Sequence, residues 1–366
     1  MPSPLGIGII GSGFGADVIL PAVLSQEDLH VHAVAPGKSG RKSDKTTLKH
    51  SDVPQLSISN LLTIPDVEAI IVAVPPFAQK ACVELALSAG KHVLCEKPLT
   101  TDLLNATSLC EAARSSNRIL GIDYEFRYDP LITSCIDAKE EGLTGKITQI
   151  NVEWWTGGSL RNGREWSWRD DITCCLGVLT EWCSHVIDYI LFITGSTFSD
   201  VSCQLSFDVL FRNDHLGVAH HVTTPDGCTI TGNLANGIVV TIDVSTARLD
   251  NLGHRIELIG DSGRFISKLL PPYGYSNYSF LANTAGIFNT FHHNTNSSTS
   301  DPRVDSVRSL VNQFARRIAG PDSPKLPICK DAIAVWRTIE ASYLSALSGG
   351  KRMNVKCPTS APTGPT

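Results

Sequence analysis

The amino-acid sequence predicts an α/β protein of two domains: a doubly wound parallel sheet, then an α+β domain with a large open, mostly antiparallel β-sheet flanked by helices. Three observations support this. The chain has 366 residues, more than one hydrophobic core usually covers. Short apolar runs alternate with helical stretches from Leu5 to about Gly121, the rhythm of βαβ units. Farther along, strands follow one another without helices between them.

The first domain is expected to span residues 1–125. Its strands are β-branched or continuously apolar, as strands covered on both faces should be. The predicted strands are Leu5 to Ile10, Leu29 to Ala35, Ala69 to Val74, His92 to Cys95 and Ile119 to Ile122. Helical apolar spacing predicts helices over Ala16 to Ser25, Phe77 to Ala89 and Asp102 to Ser115.

The second domain is expected to span residues 126–355, with a tail at 356–366 that has too little apolar content to fold. The predicted helices are Leu131 to Glu141, Leu176 to Ile193, Asp305 to Ile318 and Asp331 to Leu347. One strand, Ile147 to Trp154, precedes a predicted antiparallel meander: Val201 to Phe207, Ala219 to Thr224, Cys228 to Asn233, Ile238 to Val244 and Arg255 to Gly260. Asn236-Gly237 is a hairpin signal, and polar Asn289 to Ser300 is expected to be a loop.

Composition narrows the class of protein. A net charge of −5 with no long basic stripe argues against a nucleic-acid partner. The 11 cysteines are an odd number without framework spacing or a CxxC pair, so we expect reduced thiols and no metal. Met1 to Pro4 has no basic n-region, and the apolar run after it has only a strand's length. We therefore expect a cytoplasmic protein without a membrane partner.

The loop after the first strand has the pattern of a dinucleotide-binding turn. Gly11, Ser12, Gly13, Phe14 and Gly15 lie between an apolar strand and a helix that Ala16 opens, the setting in which G-x-G-x-x-G/A holds a pyrophosphate. Gly11 is expected to make the tight turn and Gly13 to admit the phosphate. The alternative is a glycine-rich βα turn without a ligand. The βαβ continuation favours a Rossmann site.

The end of the second strand favours NADP(H) over NAD(H). NAD-selective sites usually carry an acid there for the ribose 2′-hydroxyl, but this chain has Pro36. Lys38, Ser39 and Arg41 follow, offering donors and positive charge to a 2′-phosphate. The alternative is a solvated basic loop.

Several further motifs together resemble one family. Glu96-Lys97-Pro98 follows the fourth strand, Ala73-Val74-Pro75 follows the third, Phe126 to Pro130 forms the crossover, and Glu181 stands four residues before His185. The sequence resembles the glucose-fructose oxidoreductase, inositol dehydrogenase and rhizopine-catabolism (Gfo/Idh/MocA) family over roughly residues 5–355. That resemblance implies an NAD(P)-dependent oxidoreductase, with Ala73, Val74, Pro75, Gln79, Glu96, Lys97 and Pro98 also lining the cofactor.

Hydride transfer to or from carbon needs a group that handles the proton on the attached oxygen or nitrogen. Lys97, at the end of a strand beside the predicted cofactor crevice, can do this, with Glu96 orienting it and Pro98 fixing the turn through a cis bond that the family often has. The alternative for Lys97 is a surface lysine.

Glu181 and His185 are expected to share one helix face. By resemblance, His185 is the acid/base or substrate contact, and Glu181 binds substrate or tunes His185. Glu181 replaces the family's usual Asp, and Val74 to Gln79 departs from the family's Thr-Pro-Asn-x-x-His. The alternative is a core histidine and a surface glutamate.

Aromatic and basic residues complete the predicted substrate cleft. Tyr124, Arg127, Trp155 and Trp168 are expected to wall it, and aromatic faces suit sugar rings. We expect a sugar, cyclitol or related polyhydroxy compound as substrate. The alternatives are a reductase of C=N or C=C bonds in a less polar molecule, and a catalytically silent dinucleotide-binding subunit. The open sheet predicts a homodimer or homotetramer.

Overall fold

A computed structural model of the chain describes residues 4–37, 52–158, 160, 164–249, 252–269, 301, 303–320, 323 and 325–355, and the backbone of 276–284 and 287–295. In the first domain the strands are β1 (Leu5–Ile10), β2 (Leu29–Ala35), β3 (Ala69–Val72), β4 (His92–Glu96) and β5 (Leu120–Asp123). The helices are a π-helical turn (Gly15–Ile19), α1 (Leu20–Leu24), α2 (Ile58–Leu62), α3 (Pro76–Ser88) and α4 (Leu103–Ser115).

These five strands form one parallel sheet in the order β2-β1-β3-β4-β5. The predicted doubly wound sheet is confirmed. Consecutive strands β1 and β2 lie on one side of the point where the order reverses, and β3 to β5 lie on the other. In such a sheet ligands bind outside the carboxyl ends of the strands near that point, between β1 and β3 here.

The part of the chain after β5 begins with a short 3₁₀ helix (Glu125–Tyr128) and is built around a larger sheet. Its strands are β6 (Ile147–Trp155), β7 (Phe198–Ser206), β8 (Phe211–Asn213), β9 (Ala219–His221), β10 (Gly227–Leu234), β11 (Val239–Ser245), β12 (Gly253–Gly260), β13 (Arg264–Leu269), β14 (Ser276–Thr284), β15 (Ile287–Thr295) and β16 (Met353–Asn354). Its helices are α5 (Pro130–Glu140), a 3₁₀ turn (Trp168–Asp170), α6 (Val178–Glu181), α7 (Cys183–Thr194), α8 (Arg303–Ala319) and α9 (Cys329–Leu347).

The larger sheet has seven strands in the order β13-β12-β6-β11-β10-β7-β16. It is mostly antiparallel, as predicted, but β6 and β11 pair in parallel, so the run of strands is not a simple meander. The β9 strand lies outside this sheet and pairs only with β8 among the described residues. Gly237 makes the predicted turn between β10 and β11, with a φ of +88°. The mixed pairing arises because β6, which precedes the meander in sequence, inserts between β11 and β12.

Two sequence expectations about local structure are wrong. The predicted loop at Asn289 to Ser300 is a strand up to Thr295, because β15 pairs along its whole length with β14, and residues 296–300 lie outside the described part. The predicted single helix from Leu176 to Ile193 is two helices, α6 and α7, broken at Trp182. Polar strands and short helix breaks both depend on tertiary partners, which periodicity alone does not reveal.

Helix α8 comes from the C-terminal third of the chain but packs on the first domain. Its apolar face, from Val304 to Phe314, is buried in one cluster with Ile7 and Ile9 of β1 and Leu20 of α1. Residue Pro327, just beyond it, accepts a hydrogen bond from the amide of Ile122 at 2.9 Å. The Rossmann sheet is thus covered on this face by residues far away in sequence.

None of the helices among the described residues combines the length and apolarity that a membrane span requires.

Candidate active site

Main-chain hydrogen bonds at the glycine-rich loop connect the ends of β1, β2 and β3. The amide of Gly11 donates to the carbonyl of Ala35 at 2.8 Å, and the amide of Ala73 donates to the carbonyl of Ile10 at 2.7 Å. Gly11 has a φ of +133°, and a Cβ there would lie 2.2 Å from the carbonyl oxygen of Ala73. Only glycine fits this backbone, so the tight turn predicted for Gly11 has a physical cause.

Gly13 stands at the open side of the same loop. A Cβ at Gly13 would meet no described atom within 4 Å, whereas its carbonyl accepts from the amides of Ala16 and Asp17 at 2.9 Å each. The loop therefore leads directly into the following helical turn and leaves space in front of Gly13. This arrangement fits the pyrophosphate of a dinucleotide, which needs close approach to backbone.

Gln79 braces the turns that follow β3 and β4. Its buried side-chain amide donates to the carbonyl of Glu96 at 3.0 Å and of Val74 at 3.4 Å, and its oxygen accepts from the amide of Thr100 at 2.7 Å. The Lys97–Pro98 peptide bond lies in the second of these turns and is cis. The replacement of the family's usual His by Gln79 thus coincides with a structural link between the two turns.

Lys97 projects from the end of β4 toward the break between α6 and α7. Its Nζ donates to the main-chain carbonyl of Glu181 at 2.7 Å. In an unbroken helix that carbonyl would accept a hydrogen bond from the amide of His185. Here the His185 amide instead donates to the main-chain carbonyl of Trp182 at 3.2 Å. The break at Trp182 therefore leaves the Glu181 carbonyl available to orient the ammonium of Lys97.

The side chain of Glu181 has a different partner from the one expected. Its Oε2 accepts from Nε of Arg169 at 2.9 Å. Burial alone would raise the pKa of Glu181, but the charges of Lys97 and Arg169 outweigh it and lower that pKa below its ordinary value. Glu181 is therefore a fixed negative charge near Lys97, and Arg169 joins the site as a residue that sequence reasoning missed.

His185 lies in the first turn of α7 and is 4% exposed. Burial, then the charge of Lys97 and the nearby His254 ring, hold its pKa well below the ordinary value, so the ring is neutral near pH 7. Phe126 packs on it with ring centroids 4.6 Å apart, and Tyr124 lies edge-on at 6.2 Å. A neutral imidazole can accept a proton or a hydrogen bond next to the cationic Lys97.

Three carboxyl groups cluster where β4 and β5 end. Glu96 and Asp123 are register partners on these strands, and Glu125 follows two residues later. Burial raises the pKa of Glu96 to about 7 and that of Glu125 to about 8, and it raises the pKa of Asp123 well above its ordinary value. Like charges in one buried place cannot all ionise, so the cluster holds protons beside Lys97. Sequence reasoning missed Asp123 and Glu125, although both are polar residues at the carboxyl edge of a parallel sheet.

Tyr124 and Arg127, predicted to wall the substrate cleft, are both buried. Arg127 donates to both carboxylate oxygens of Asp188, at 2.8 and 2.6 Å, and lies 3.0 Å from Asp331. This ion pair joins the crossover to α7 and α9. Tyr124 is fully buried and packs beside His185. Arg127 is thus paired with two carboxylates, Asp188 and Asp331. Of the two residues, Tyr124 is the one that packs against the ring of His185.

The two predicted tryptophans lie at different places. The ring of Trp168 is 6.1 Å from Phe77, which follows the β3 turn, and the guanidinium of Arg169 lies over it at 4.3 Å. Trp155 ends β6 and lies under Arg248 at 4.6 Å. Trp168 therefore stands between the first domain and the Arg169–Glu181 pair. Lys38, Ser39 and Arg41 lie outside the described residues.

The fold and the site together define a class, a dinucleotide-binding oxidoreductase with a basic residue at the end of β4. A family model described as an oxidoreductase family with an NAD-binding Rossmann fold matches residues 5–124. The model of the GFO/IDH/MocA C-terminal domain matches residues 136–266. The chain belongs to the Gfo/Idh/MocA family, and the resemblance drawn from its motifs is confirmed.

Individual relatives agree with this assignment. An uncharacterised oxidoreductase of Synechocystis is 28% identical over 269 residues, 72% of this chain and 71% of that protein. Glucose-6-phosphate 3-dehydrogenase of Bacillus subtilis is 30% identical over 203 residues, 54% of this chain and 56% of its own. The structure of levoglucosan dehydrogenase with NADH and L-sorbose superposes with a TM-score of 0.83 at 19% identity, covering 97% of this chain and 99% of that one.

Proposed function

We propose that the protein is an NAD(P)-dependent dehydrogenase or reductase that interconverts a hydroxyl and a carbonyl group on a sugar, cyclitol or related polyhydroxy compound. The observation that carries the proposal is the position of Lys97. Its ammonium donates to the Glu181 carbonyl at 2.7 Å, at the carboxyl edge of the Rossmann sheet, and its charge helps to hold the pKa of His185 low. A cation and a neutral base at the same edge are the proton-handling groups that this reaction needs.

Each group has a role that follows from its charge. A bound nicotinamide supplies or accepts the hydride. In reduction, Lys97 donates a proton to the carbonyl oxygen, while in oxidation the hydroxyl proton passes to neutral His185 or to deprotonated Lys97. Glu181 keeps a negative charge, because Lys97 and Arg169 hold the pKa of its carboxyl below the ordinary value. Arg169 fixes the Glu181 carboxylate.

We infer a preference for NADP(H) from the sequence around Pro36. Pro36 is exposed where β2 ends, and no carboxylate stands at that position to accept from a ribose 2′-hydroxyl. The basic residues that follow it would pair with a 2′-phosphate. Steady-state kinetics with NADPH and NADH test the preference, and equal or better use of NADH would contradict it.

The proposed substrate class draws on the relatives and on the aromatic residues. The names of glucose-6-phosphate 3-dehydrogenase and levoglucosan dehydrogenase refer to sugars or anhydrosugars. In this chain Trp168 packs edge-on against Phe77, at the start of α3, and aromatic faces pack well on sugar rings.

The decisive experiment compares Lys97→Ala with Lys80→Ala, which removes a lysine of α3 that pairs with Glu84 at the surface. Both variants are titrated with NADPH by fluorescence and assayed at the nicotinamide absorbance band against ketoses, polyols and imines. We expect Lys97→Ala to lose about 100-fold to 10,000-fold in turnover, the usual contribution of a general acid, and to keep its dinucleotide affinity. An unchanged rate in Lys97→Ala would contradict the mechanism. Dinucleotide binding without turnover of any substrate in the wild type would favour a silent binding protein instead.

A further inference from the structure

His185 faces a carboxyl group other than the one that its sequence motif supplies. Its Nδ1 lies 3.7 Å from Oε2 of Glu125, and the two side chains are 5% and 9% exposed. Within the part of the chain that the structure describes, this Nδ1 is buried without a hydrogen-bond partner. The carboxylate of Glu181, four residues before His185, is instead paired with Arg169.

The fold holds this pair in place from two sides. Glu125 is the first residue of the 3₁₀ helix that follows β5, and His185 lies in the first turn of α7, so their backbones belong to different elements. A shift of less than ~1 Å brings Nδ1 and Oε2 to ordinary hydrogen-bond distance. A buried imidazole nitrogen with one carboxyl neighbour is the arrangement that fixes a histidine tautomer in other enzymes.

The charged groups around Glu125 come from three other elements. Glu96 and Lys97 face it from the end of β4, Asp123 from the end of β5, and Arg303 from the start of α8. Burial and the charge of Glu96 raise the pKa of Glu125 to about 8, against the opposing effect of Lys97. Glu125 therefore changes its charge close to neutral pH.

The ring of His185 has its own neighbours. Lys97 and His254 are the charged or titratable groups whose effects lower its pKa, after burial itself. Tyr124 and Phe126 cover the ring. Burial lowers the pKa of His254 to about 3, so that group is neutral throughout the range in which Glu125 titrates.

We propose that Glu125 is a positioning residue that selects the tautomer of His185. Protonated Glu125 donates its O–H to Nδ1 and leaves the ring hydrogen on Nε2. Ionised Glu125 accepts from Nδ1–H and leaves a lone pair on Nε2. The change releases one proton in total, because the carboxyl proton moves to Nδ1 and the Nε2 proton departs.

This selection decides what His185 offers to a substrate. With Glu125 protonated, Nε2–H is a donor suited to a carbonyl oxygen, and with Glu125 ionised, Nε2 is a base suited to a hydroxyl. The inference rests on the proposed function only for this last step, since the pairing itself needs no substrate.

The test is a long-range proton–nitrogen NMR titration of full-length protein labelled with ¹⁵N-histidine, with the His185 signals identified by their loss in His185→Asn. In the wild type, the Nδ1 and Nε2 signals should exchange pyrrole-type and pyridine-type character as pH rises from 6 to 10. Glu125→Gln should abolish the exchange, Glu125→Asp should retain it at a changed pH, and Glu181→Gln, the matched control, should retain it. A wild-type ring that keeps one tautomer throughout, or a Glu125→Gln ring that still exchanges, overturns the proposal.

Turnover separates this inference from the proposed function. If the tautomer selection and the proposed function both hold, the turnover rate of the wild type changes with pH at the pH of the tautomer exchange. Glu125→Gln should lack that change and lose about tenfold in turnover. If the signals exchange but no substrate is turned over, the tautomer selection stands and the proposed function fails.

Discussion

The glycine-rich loop offers a paired test, because Gly11 and Gly13 are two residues apart and are needed for different reasons. A Cβ at Gly11 would lie 2.2 Å from the Ala73 carbonyl, on a backbone with φ of +133°. Backbone strain of roughly 1–3 kcal/mol and overpacking of roughly 1–3 kcal/mol together give a loss of about 2–6 kcal/mol for Gly11→Ala. At about 2–4 °C per kcal/mol, the value for domains of roughly 150–250 residues, the melting temperature falls by roughly 4–24 °C.

Gly13→Ala is expected to behave in the opposite way. Its Cβ would meet no described atom within 4 Å, so the stability of the ligand-free protein should stay within about 0.5 kcal/mol of wild type. The methyl group would take up space that a pyrophosphate needs, and we expect at least a tenfold weaker dinucleotide affinity. At a ligand concentration of about 100 times the wild-type Kd, stabilisation by the dinucleotide then falls from about 2.7 to about 1.4 kcal/mol.

Scanning fluorimetry without ligand and with NADPH measures both effects in one experiment. If Gly11→Ala has the same melting temperature as wild type, the backbone adjusts around the new Cβ without loss of stability, and the argument from the close Ala73 carbonyl is wrong. If NADPH stabilises Gly13→Ala as strongly as wild type, the loop is not part of the dinucleotide site.

Three further predictions concern the buried polar groups. Arg127→Met leaves Asp188 buried without its cation and should cost about 3–5 kcal/mol in urea unfolding; an unchanged stability with a raised KM would instead restore Arg127 to the substrate cleft. Glu96 has a folded pKa of about 7, above its ordinary value, so the folded state keeps a proton that the unfolded state releases. Wild-type stability should therefore fall as pH rises from about 4.5 to 7, and Glu96→Gln should match wild type at pH 4.5 but exceed it by about 3 kcal/mol at pH 8; a gap that does not grow with pH would contradict this. Gln79→Leu leaves the Thr100 amide and the Glu96 carbonyl without their partner and should lower stability by about 2–5 kcal/mol in thermal unfolding, whereas a wild-type melting temperature would show that the brace is dispensable.

The fold was predictable where the sequence pattern has a single physical explanation. Strand β1 begins and ends where its apolar run does, because a strand buried on both faces requires such a run. The β14–β15 hairpin was not predictable in the same way. Its second strand is mostly polar after Phe288, so local composition predicted a loop, and only the pairing with β14 shows a strand.

The candidate site was predictable as a set of motifs but not as a set of partners. The family resemblance predicted Lys97, Glu181 and His185 in one site, and Lys97 does donate to the Glu181 carbonyl. The spacing of four suggested that Glu181 serves His185, yet the helix breaks at Trp182 and the nearest carboxyl comes from Glu125. A partner supplied by another layer of the fold has no signature in local sequence.

The position of helix α8 has a consequence for biosynthesis. Strand β5 ends at Asp123, but the apolar side of the first domain is not covered until α8, which begins at Arg303, has been made. At roughly 5–20 residues per second, a ribosome takes about 10–40 s to cross that interval. During this time Ile7 and Ile9 lack the cover that α8 gives them, and apolar surface exposed in this way favours aggregation. The domain that is synthesised first is thus completed among the last.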